Sequence, residues 1–419
     1  MKIRFTLFAF LILTLNLPAQ SLCDGQRFRD TVFAGEVQET INIKFGENAQ
    51  PTLSNPAARQ ELFLNFYDAP SDTAQKRPLV ILAFGGAFIA GVRQSPDIVY
   101  LCTWLAEHGY ATAAIDYRLS RELLLGGNPR TGTLAVIKGM HDMKAAVRFF
   151  RADAAGDNRF RIDPDHIIIG GVSAGALAAN HAAYLDSFAE LPPYLQESDT
   201  VGLGGVEGLS GNPGFSSEVF AVVNLAGAIG DTAWMEADEA SLISMHGNQD
   251  EVVPYAVDTV TLFGLNLPIM GSATMHEAAG RLGLYERFFT FNGANHVPFV
   301  NQFNGQPIFP YMDTTTMFIR DNLAELLCGP VSSRDDAIVS TDFRVWPQPA
   351  SGRFYVSAEA DTQLELFDMQ GKKASILVSD EAGRKLVRFE GLNPGIYVLR
   401  AKDRNGMPVG WRKIQLTGN

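Results

Sequence analysis

Cysteine is scarce: Cys23, Cys102 and Cys328 are the only ones in 419 residues, too few for a disulfide scaffold, so a buried apolar core must hold the fold. No Cys/His cluster has metal-ligand spacing, and no metal is expected. Basic charge is also short. Lys plus Arg total 34 against 46 Asp plus Glu, a net charge of -12, and no basic stripe offers a grip on phosphates, so nucleic acid is not an expected partner. Gly170-Gly171-Val172-Ser173-Ala174-Gly175 has no following Lys and lacks the paired downstream acid, which removes phosphate-loop and dinucleotide readings. No cofactor is expected. Beyond the first twenty residues, no run is long and apolar enough to cross a bilayer, so no stable membrane span is expected.

What is present is apolar content enough for a large core: 46% of residues are hydrophobic, and the length predicts two or three domains. Met1-Lys2-Ile3-Arg4, an apolar run from Phe5 to Leu17 and Pro18-Ala19-Gln20 have the charged start, short hydrophobic stretch and small-residue exit of a signal peptide, residues 1–19. A membrane anchor is the alternative, but the run falls short of the ~20 apolar residues a span needs. Lipid attachment at Cys23 is disfavoured by the large Leu22 before it. Export leads to an oxidising compartment that permits one disulfide. Cys102 sits inside the apolar pattern Ile98 to Leu105, where a buried thiol is expected. By elimination Cys23 with Cys328 is the pair to test, and it would clamp the two ends of the larger domain.

From about 79 to 327 apolar β-rich runs alternate with amphipathic stretches, the pattern of a mostly parallel sheet with helices on both faces. The spacing predicts strands at Leu79–Phe84, Ala111–Asp116, His166–Ile169, Val219–Leu225, Ser241–Met245 and Arg287–Phe291, and helices near 97–108, 133–154, 174–186, 272–282 and 311–327. Segments 31–45 and 60–67 alternate polar and apolar residues and predict antiparallel strands at one sheet edge. Six glycines between 202 and 214, Gly202 among them, predict a mobile or tightly turned loop near the catalytic face, with a plain surface loop as the alternative. After Cys328-Gly329-Pro330 the composition changes. Short alternating runs at Phe343–Trp346, Arg353–Val356, Gln363–Asp368, Lys385–Phe389, Gly395–Ala401 and Trp411–Leu416 predict a small β-sandwich.

Residues 167–175, Ile-Ile-Ile-Gly-Gly-Val-Ser-Ala-Gly, run an apolar strand straight into Gly-x-Ser-x-Gly with an Ala-rich helical stretch behind it. A nucleophilic serine on a tight strand-to-helix turn needs this, because Gly171 and Gly175 leave room that no bulky side chain permits. Four more motifs keep company with it in order: Phe84-Gly85-Gly86-Ala87-Phe88, Ile115-Asp116-Tyr117-Arg118-Leu119, His246-Gly247-Asn248-Gln249-Asp250 and Asn295-His296. Together they resemble the α/β-hydrolase superfamily, in particular its secreted carboxylesterase and feruloyl-esterase-like branch, related to the hormone-sensitive-lipase group. The resemblance implies an α/β-hydrolase fold over residues 20–330 and hydrolysis of a carboxylic ester through an acyl-enzyme.

A serine hydroxyl needs a base within hydrogen-bond reach, and the base needs a carboxylate to fix its tautomer. In the chain order of this fold, Ser173 is the expected nucleophile, Asp250 the acid and His296, in the loop after the last core strand, the base. His246 ends a strand near that acid and is expected to be structural support. His108, His141, His166, His181 and His276 have no comparable placement. Asp231 is the fallback acid, and Glu251 is expected to point elsewhere. Asp116 and Asp142 are read as structural, the latter as a cap or a salt bridge with Arg118 or Arg148. The backbone N–H groups of Gly86, Ala87 and Ala174 are the expected oxyanion donors. Phe84 and Ala87 depart from the family's His-Gly-Gly-Gly loop, which puts its side-chain anchoring in question. Phe88, Trp234 and Pro298 are the expected pocket lining, with Ile89, Met235 and Phe299 beside them. Feruloyl, acetyl, lipid and polyester substrates all fit the sequence.

The tail resembles the C-terminal sorting domain of the type IX secretion system of Gram-negative bacteria, through Trp346-Pro347-Gln348-Pro349-Ala350-Ser351-Gly352, Leu366 to Lys372, Leu392-Asn393-Pro394-Gly395-Ile396-Tyr397-Val398 and Lys413-Ile414-Gln415-Leu416. This resemblance covers 343–419, after a linker at 331–342, and implies the type IX machinery as a partner and a secreted or cell-surface location reached through periplasm and outer membrane. A carbohydrate-binding sandwich is the alternative for the tail. For the whole chain, the rivals to an esterase are a serine exopeptidase on the same scaffold and a non-catalytic surface binding protein.

Overall fold

The structure is a computed structural model that describes residues 22–329 except 52–54 and 196–202, and residues 345–417 except 358–360, 369–371, 382–383, 403 and 405–407. The leader expected at 1–19, the linker expected at 331–342, Gly202 and the start of the strand expected at Phe343 lie outside the described residues. The chain divides into two compact units, one within 1–330 and one within 331–419.

The first unit contains β1 (Gln38–Ala49), β2 (Arg59–Asp68), β3 (Arg77–Ala83), α1 (Pro96–Glu107), β4 (Ala111–Ile115), α2 (Pro129–Ala155), β5 (Ile162–Val172), α3 (Ala174–Tyr184), β6 (Ala221–Leu225), β7 (Ala228–Ile229), β8 (Ser241–Gly247), β9 (Val257–Val260), β10 (Leu267–Gly271), α4 (Ser272–Leu282), β11 (Glu286–Phe291) and α5 (Tyr311–Cys328). One sheet runs in the order β1-β2-β4-β3-β5-β6-β8-β11. The pairs from β4 to β11 are parallel, and β1 and β2 add an antiparallel edge. The central strands are apolar on both faces, as Leu79, Val80, Ile81 and Leu82 are all buried. Such strands require cover on both sides. α2 packs with α3 and α1 with α5 to provide it. α2 starts where Asn128 caps it: the Thr131 N–H donates to Asn128 Oδ1 at 3.0 Å, the Asn128 N–H donates to Thr131 Oγ1 at 2.9 Å, and Pro129 occupies the first turn.

Two segments differ from the pattern read in the sequence. Residues 31–37 are turns rather than strand, because their N–H groups are drawn to the end of α1: Phe33 N–H donates to Glu107 O and Gly35 N–H to Glu107 Oε1, both at 2.9 Å. The span from 252 to 271, for which the sequence pattern predicts no element, supplies β9 and β10 of a small sheet in the order β7-β10-β9. The glycine-rich loop is tightly turned and pinned to α2 and β1. Arg148 donates to Gly211 O at 2.9 Å and to Glu207 O at 3.0 Å, and the Glu47 N–H donates to Ser210 O at 2.7 Å. Asp142 pairs with Arg118, at 3.0 Å, rather than with Arg148, and Asp116 pairs with Arg93 at 2.5 Å.

The second unit is all-β. β12 (Val345–Ser351), β13 (Arg353–Val356), β14 (Gln363–Asp368), β15 (Lys373–Ala374), β16 (Leu377–Glu381), β17 (Arg384–Arg388), β18 (Gly395–Lys402) and β19 (Pro408–Leu416) run in the order β15-β14-β18-β19-β12-β13-β17-β16. Alternate residues such as Phe354, Val356, Leu366, Leu399 and Ile414 turn inward and form a separate core.

Cys23 and Cys328 form a disulfide with Cα atoms 5.5 Å apart across 305 positions, while Cys102 stays a buried thiol in α1. The bridge joins the two ends of the first unit, so its main effect is to restrict the unfolded chain. Replacing both Cys23 and Cys328 by Ser is expected to cost about 2–4 kcal/mol of stability, read as a lower thermal midpoint that added reductant no longer changes.

Candidate active site

Ser173 stands between β5 and α3 with φ +54° and ψ −117°. A non-glycine residue at such angles is strained and persists only where its surroundings enforce it. The glycines on either side allow the enforcement. A methyl group at Gly171 would come within 2.5 Å of Ala83 O, and one at Gly175 within 2.2 Å of the same oxygen, so the turn lies flat against the end of β3. The Ser173 N–H donates to Leu225 O at 2.9 Å, which ties the turn to β6 as well.

The loop after β3 lies beside this turn. A methyl at Gly85 would sit 3.4 Å from Ser173 Cβ. Gly86 O accepts the N–H groups of Ile89 and Ala90, curling the chain, while Gly86, Ala87 and Phe88 hold φ of +128°, +53° and +59°. The anchoring that a histidine at 84 would supply comes from elsewhere. The Phe84 ring stacks on Tyr117 at 4.3 Å and the Tyr117 hydroxyl donates to Phe84 O at 3.0 Å. The Asp116-Tyr117-Arg118 segment after β4 thus holds the loop, with Asp116 and Arg118 fixed by their own ion pairs.

Parallel pairing of β8 and β11 brings the loops that follow them side by side. They are cross-linked: Gln249 N–H donates to Ala294 O at 3.0 Å, Gly293 N–H to Asn248 Oδ1 at 2.7 Å, and Glu251 N–H to Asn295 Oδ1 at 3.0 Å. Glu251 itself points to Asn295. Across this junction His296 Nδ1 lies 2.6 Å from Asp250 Oδ2, and His296 Nε2 lies 2.8 Å from Ser173 Oγ. A carboxylate accepts only, so Nδ1 carries the proton and Nε2 presents its lone pair to the serine hydroxyl. Ser173, Asp250 and His296 therefore stand in one line, and Asp231 caps a short 3-10 turn at Thr232–Trp234 away from it.

Asp250 is held by four donors. Its Oδ1 accepts the N–H groups of Val252 and Val253, each at 2.8 Å, and its Oδ2 accepts from His296 and, at 3.0 Å, from His246 Nε2. Burial by itself would raise this carboxyl, but the hydrogen bonds from His246, His296 and Val252 hold it well below the usual carboxylate range. His246 is buried, with Ser272 Oγ 2.7 Å from its Nδ1 and Val253 O 3.1 Å from its Nε2. It shares Asp250 Oδ2 with His296 and so restrains that carboxylate from the side opposite Ser272. Among the described residues no cluster of His, Cys, Asp or Glu is arranged to hold a metal ion.

A small apolar cavity opens beside Ser173. Ala87, Phe88 and Ala174 line it beside the serine. Of the other side chains expected there, Trp234, Pro298, Ile89, Met235 and Phe299 do not line it. Trp234 is buried against His181, 5.6 Å between rings, and over Gly230, whose added methyl would meet the indole. Pro298 follows His296 in the base loop, which contributes nothing to the cavity wall. The walls come instead from α2, α3 and the 252–271 segment, whose aliphatic residues look like ordinary core in sequence.

Residues 64–201 match the BD-FAE family model, and residues 344–414 match the secretion system C-terminal sorting domain. The chain thus carries an esterase-like α/β-hydrolase domain of the BD-FAE family followed by a sorting domain of the type IX kind. That tail marks the protein as secreted or cell-surface. Among the described residues no helix is long and apolar enough to cross a membrane. No curated protein matches the chain. Similar solved structures include a thermophilic esterase from the Planctomycetes species Thermogutta terrifontis bound to propionate, with 18% identity, TM-score 0.47, and coverage of 70% of this chain and 96% of that one. Esterase 2 of Thermogutta terrifontis phosphorylated by paraoxon is similar at 19% identity, TM-score 0.45, over 71% of this chain and 97% of that one.

The depressed carboxyl has a consequence for stability. A group whose pKa is lower in the folded than in the unfolded chain adds stability above its unfolded value, about pH 4 for Asp, and loses it as pH falls towards the folded value. Asp250→Asn is therefore expected to flatten the acid side of the stability profile, checked by thermal unfolding of both chains across that range.

Proposed function

We propose that this protein is a serine carboxylester hydrolase that works through an acyl-enzyme on Ser173. The observation that supports it is the continuous line of contacts, 2.8 Å from Ser173 Oγ to His296 Nε2 and 2.6 Å from His296 Nδ1 to Asp250. Ser173 Oγ attacks the ester carbonyl carbon while His296 Nε2 takes its proton. Negative charge moves to the carbonyl oxygen, where the N–H groups of Ala174, Gly86 and Ala87 stabilise it, at about 3 kcal/mol for each donor. The carbon–oxygen bond to the alcohol then breaks and the imidazolium returns its proton to the leaving oxygen. Water, deprotonated by the same imidazole, attacks the acyl-serine, and the acid leaves as Ser173 regains its proton. Asp250 fixes the tautomer and stabilises the imidazolium, and it remains ionised throughout.

Residues 1–19 serve in this proposal as a removable leader, 20–330 as the catalytic domain, 331–342 as a linker and 343–419 as the tail handled by the type IX machinery on passage from the periplasm through the outer membrane. A fluorophosphonate probe is expected to label the wild-type chain and not Ser173→Ala; a wild-type chain that never reacts would instead be a binding protein. Ser173→Ala is expected to lower turnover of nitrophenyl esters by about 10⁴-fold or more with the thermal midpoint retained. Asp250→Asn is expected to leave weak activity, lower by about 10³–10⁴-fold. Hydrolysis of peptide anilides with no action on esters would replace the esterase by an exopeptidase. Only the neutral imidazole of His296 can accept the serine proton.

A further inference from the structure

Resting on Ser173 as the acyl-bearing nucleophile, we infer that the cavity beside it is an acyl site for saturated aliphatic chains of intermediate length, and that it selects against both acetyl and hydroxycinnamoyl groups. Three observations carry this. First, the cavity opens on the acyl side of the reacting carbon. A leaving alcohol must stay within reach of His296 Nε2 to be protonated, and His296 takes no part in the cavity wall, whereas Ala87, Ala174 and Ser173 do. A group that extends into the cavity from a carbonyl at Ser173 is therefore the acyl chain.

Second, the wall has almost no polarity. Phe88, Val136, Leu177, Val260, Leu265 and Ile269 define its faces, and among the described residues that line it Ser173 is the one with a polar side chain. A methylene chain gains from every carbon buried in such a wall. A feruloyl group would carry its phenolic hydroxyl and methoxy oxygen into the same wall with no side chain to receive them, and an unpaired buried hydroxyl is penalised. Among the described side chains of the lining Phe88 is the one aromatic ring, and Tyr117 packs against it edge-on at 5.7 Å between centroids.

Third, the outer wall is built for this purpose by the segment between the acid loop and α4. Leu265 is buried at the foot of α2 because Gly127 and Gly132 have no side chains there. An added methyl would come within 2.5 Å of its Cδ2 at Gly127 and 2.8 Å at Gly132. The pairing of β9 with β10 and of β10 with β7 holds Val260 and Ile269 on the same wall. An acetyl group is too short to touch any of this, so it gains nothing from it.

The test is a chain-length series of nitrophenyl acetate, butyrate, hexanoate and octanoate on the full chain, with methyl hexanoate and methyl ferulate compared as a matched pair. Expected is a rise in kcat/KM of about fourfold per methylene from acetate to at least hexanoate, and methyl hexanoate turned over at least about tenfold better than methyl ferulate. Val260→Phe narrows the cavity from the edge of the inserted sheet and is expected to lower the hexanoate-to-acetate ratio by about tenfold or more. Fluorophosphonate labelling of the variant reports that its site is intact. Acetate as the best ester, ferulate faster than hexanoate, or a labelled Val260→Phe chain with an unchanged ratio would each overturn the acyl-site assignment while leaving the esterase in place. A wild-type chain that is neither labelled nor active on any ester would overturn the hydrolase proposal itself. Should Val260→Phe fail to label, the wild-type series decides alone.

Discussion

The approach of the Ser173 turn to the end of β3 is the contact on which the site is built. Gly171 and Gly175 both face Ala83 O at distances that a side-chain carbon could not occupy. This close packing does two things at once. It forces Ser173 into positive φ, lifting the hydroxyl off the end of the sheet, and it sets the Phe84–Phe88 loop directly alongside, because that loop is the continuation of β3. Ser173 and the Phe84–Phe88 loop are therefore placed together by one contact at the end of β3.

The acid and base have a different source of precision. Their loops follow neighbouring parallel strands, β8 and β11, and are stitched together by Asn248, Asn295 and Glu251. Behind them lies a buried polar chain: Ser272 beside His246, Asn224 donating to Ser272 and to Ser244 at 3.0 Å, and Asn180 donating to Asn224 Oδ1 at 3.1 Å. Hydrogen bonds this far from water are strong, so the network constrains the rotamer of His246 and through it that of Asp250. An acid restrained from two sides leaves the imidazole one orientation to follow.

How much of this could be read from sequence depended on whether a residue announces itself by spacing. The parallel strands are apolar runs bounded by glycine or polar residues, and Ser173, Asp250 and His296 each fall where such a run ends, so their convergence was legible. The helices were legible to within a few residues for the same reason. The cavity was not. Its walls are Val, Leu and Ile residues at 252–269 whose pattern is indistinguishable from core, while Trp234, a conspicuous aromatic in a loop, turned out to fill the space over Gly230. Nor did composition show what replaces a histidine at 84. The answer, Tyr117, lies 33 positions away on the next strand's exit, and only the sheet order β4-β3 brings them together.

The 252–271 segment adjoins both Asp250 and the cavity wall. Val252 and Val253 donate their N–H groups to Asp250 Oδ1, Val253 O receives His246 Nε2, and both valine residues line the cavity. The backbone that orients the acid is thus the backbone that carries the first residues of the apolar wall. A change in the wall that shifts this backbone must also shift the carboxylate, whereas a change farther along, in β9 or β10, alters the cavity at a distance from the acid. On the proposed function, substitutions beyond Pro254, where the main chain no longer meets Asp250 or His246, are the ones expected to alter acyl preference without loss of turnover.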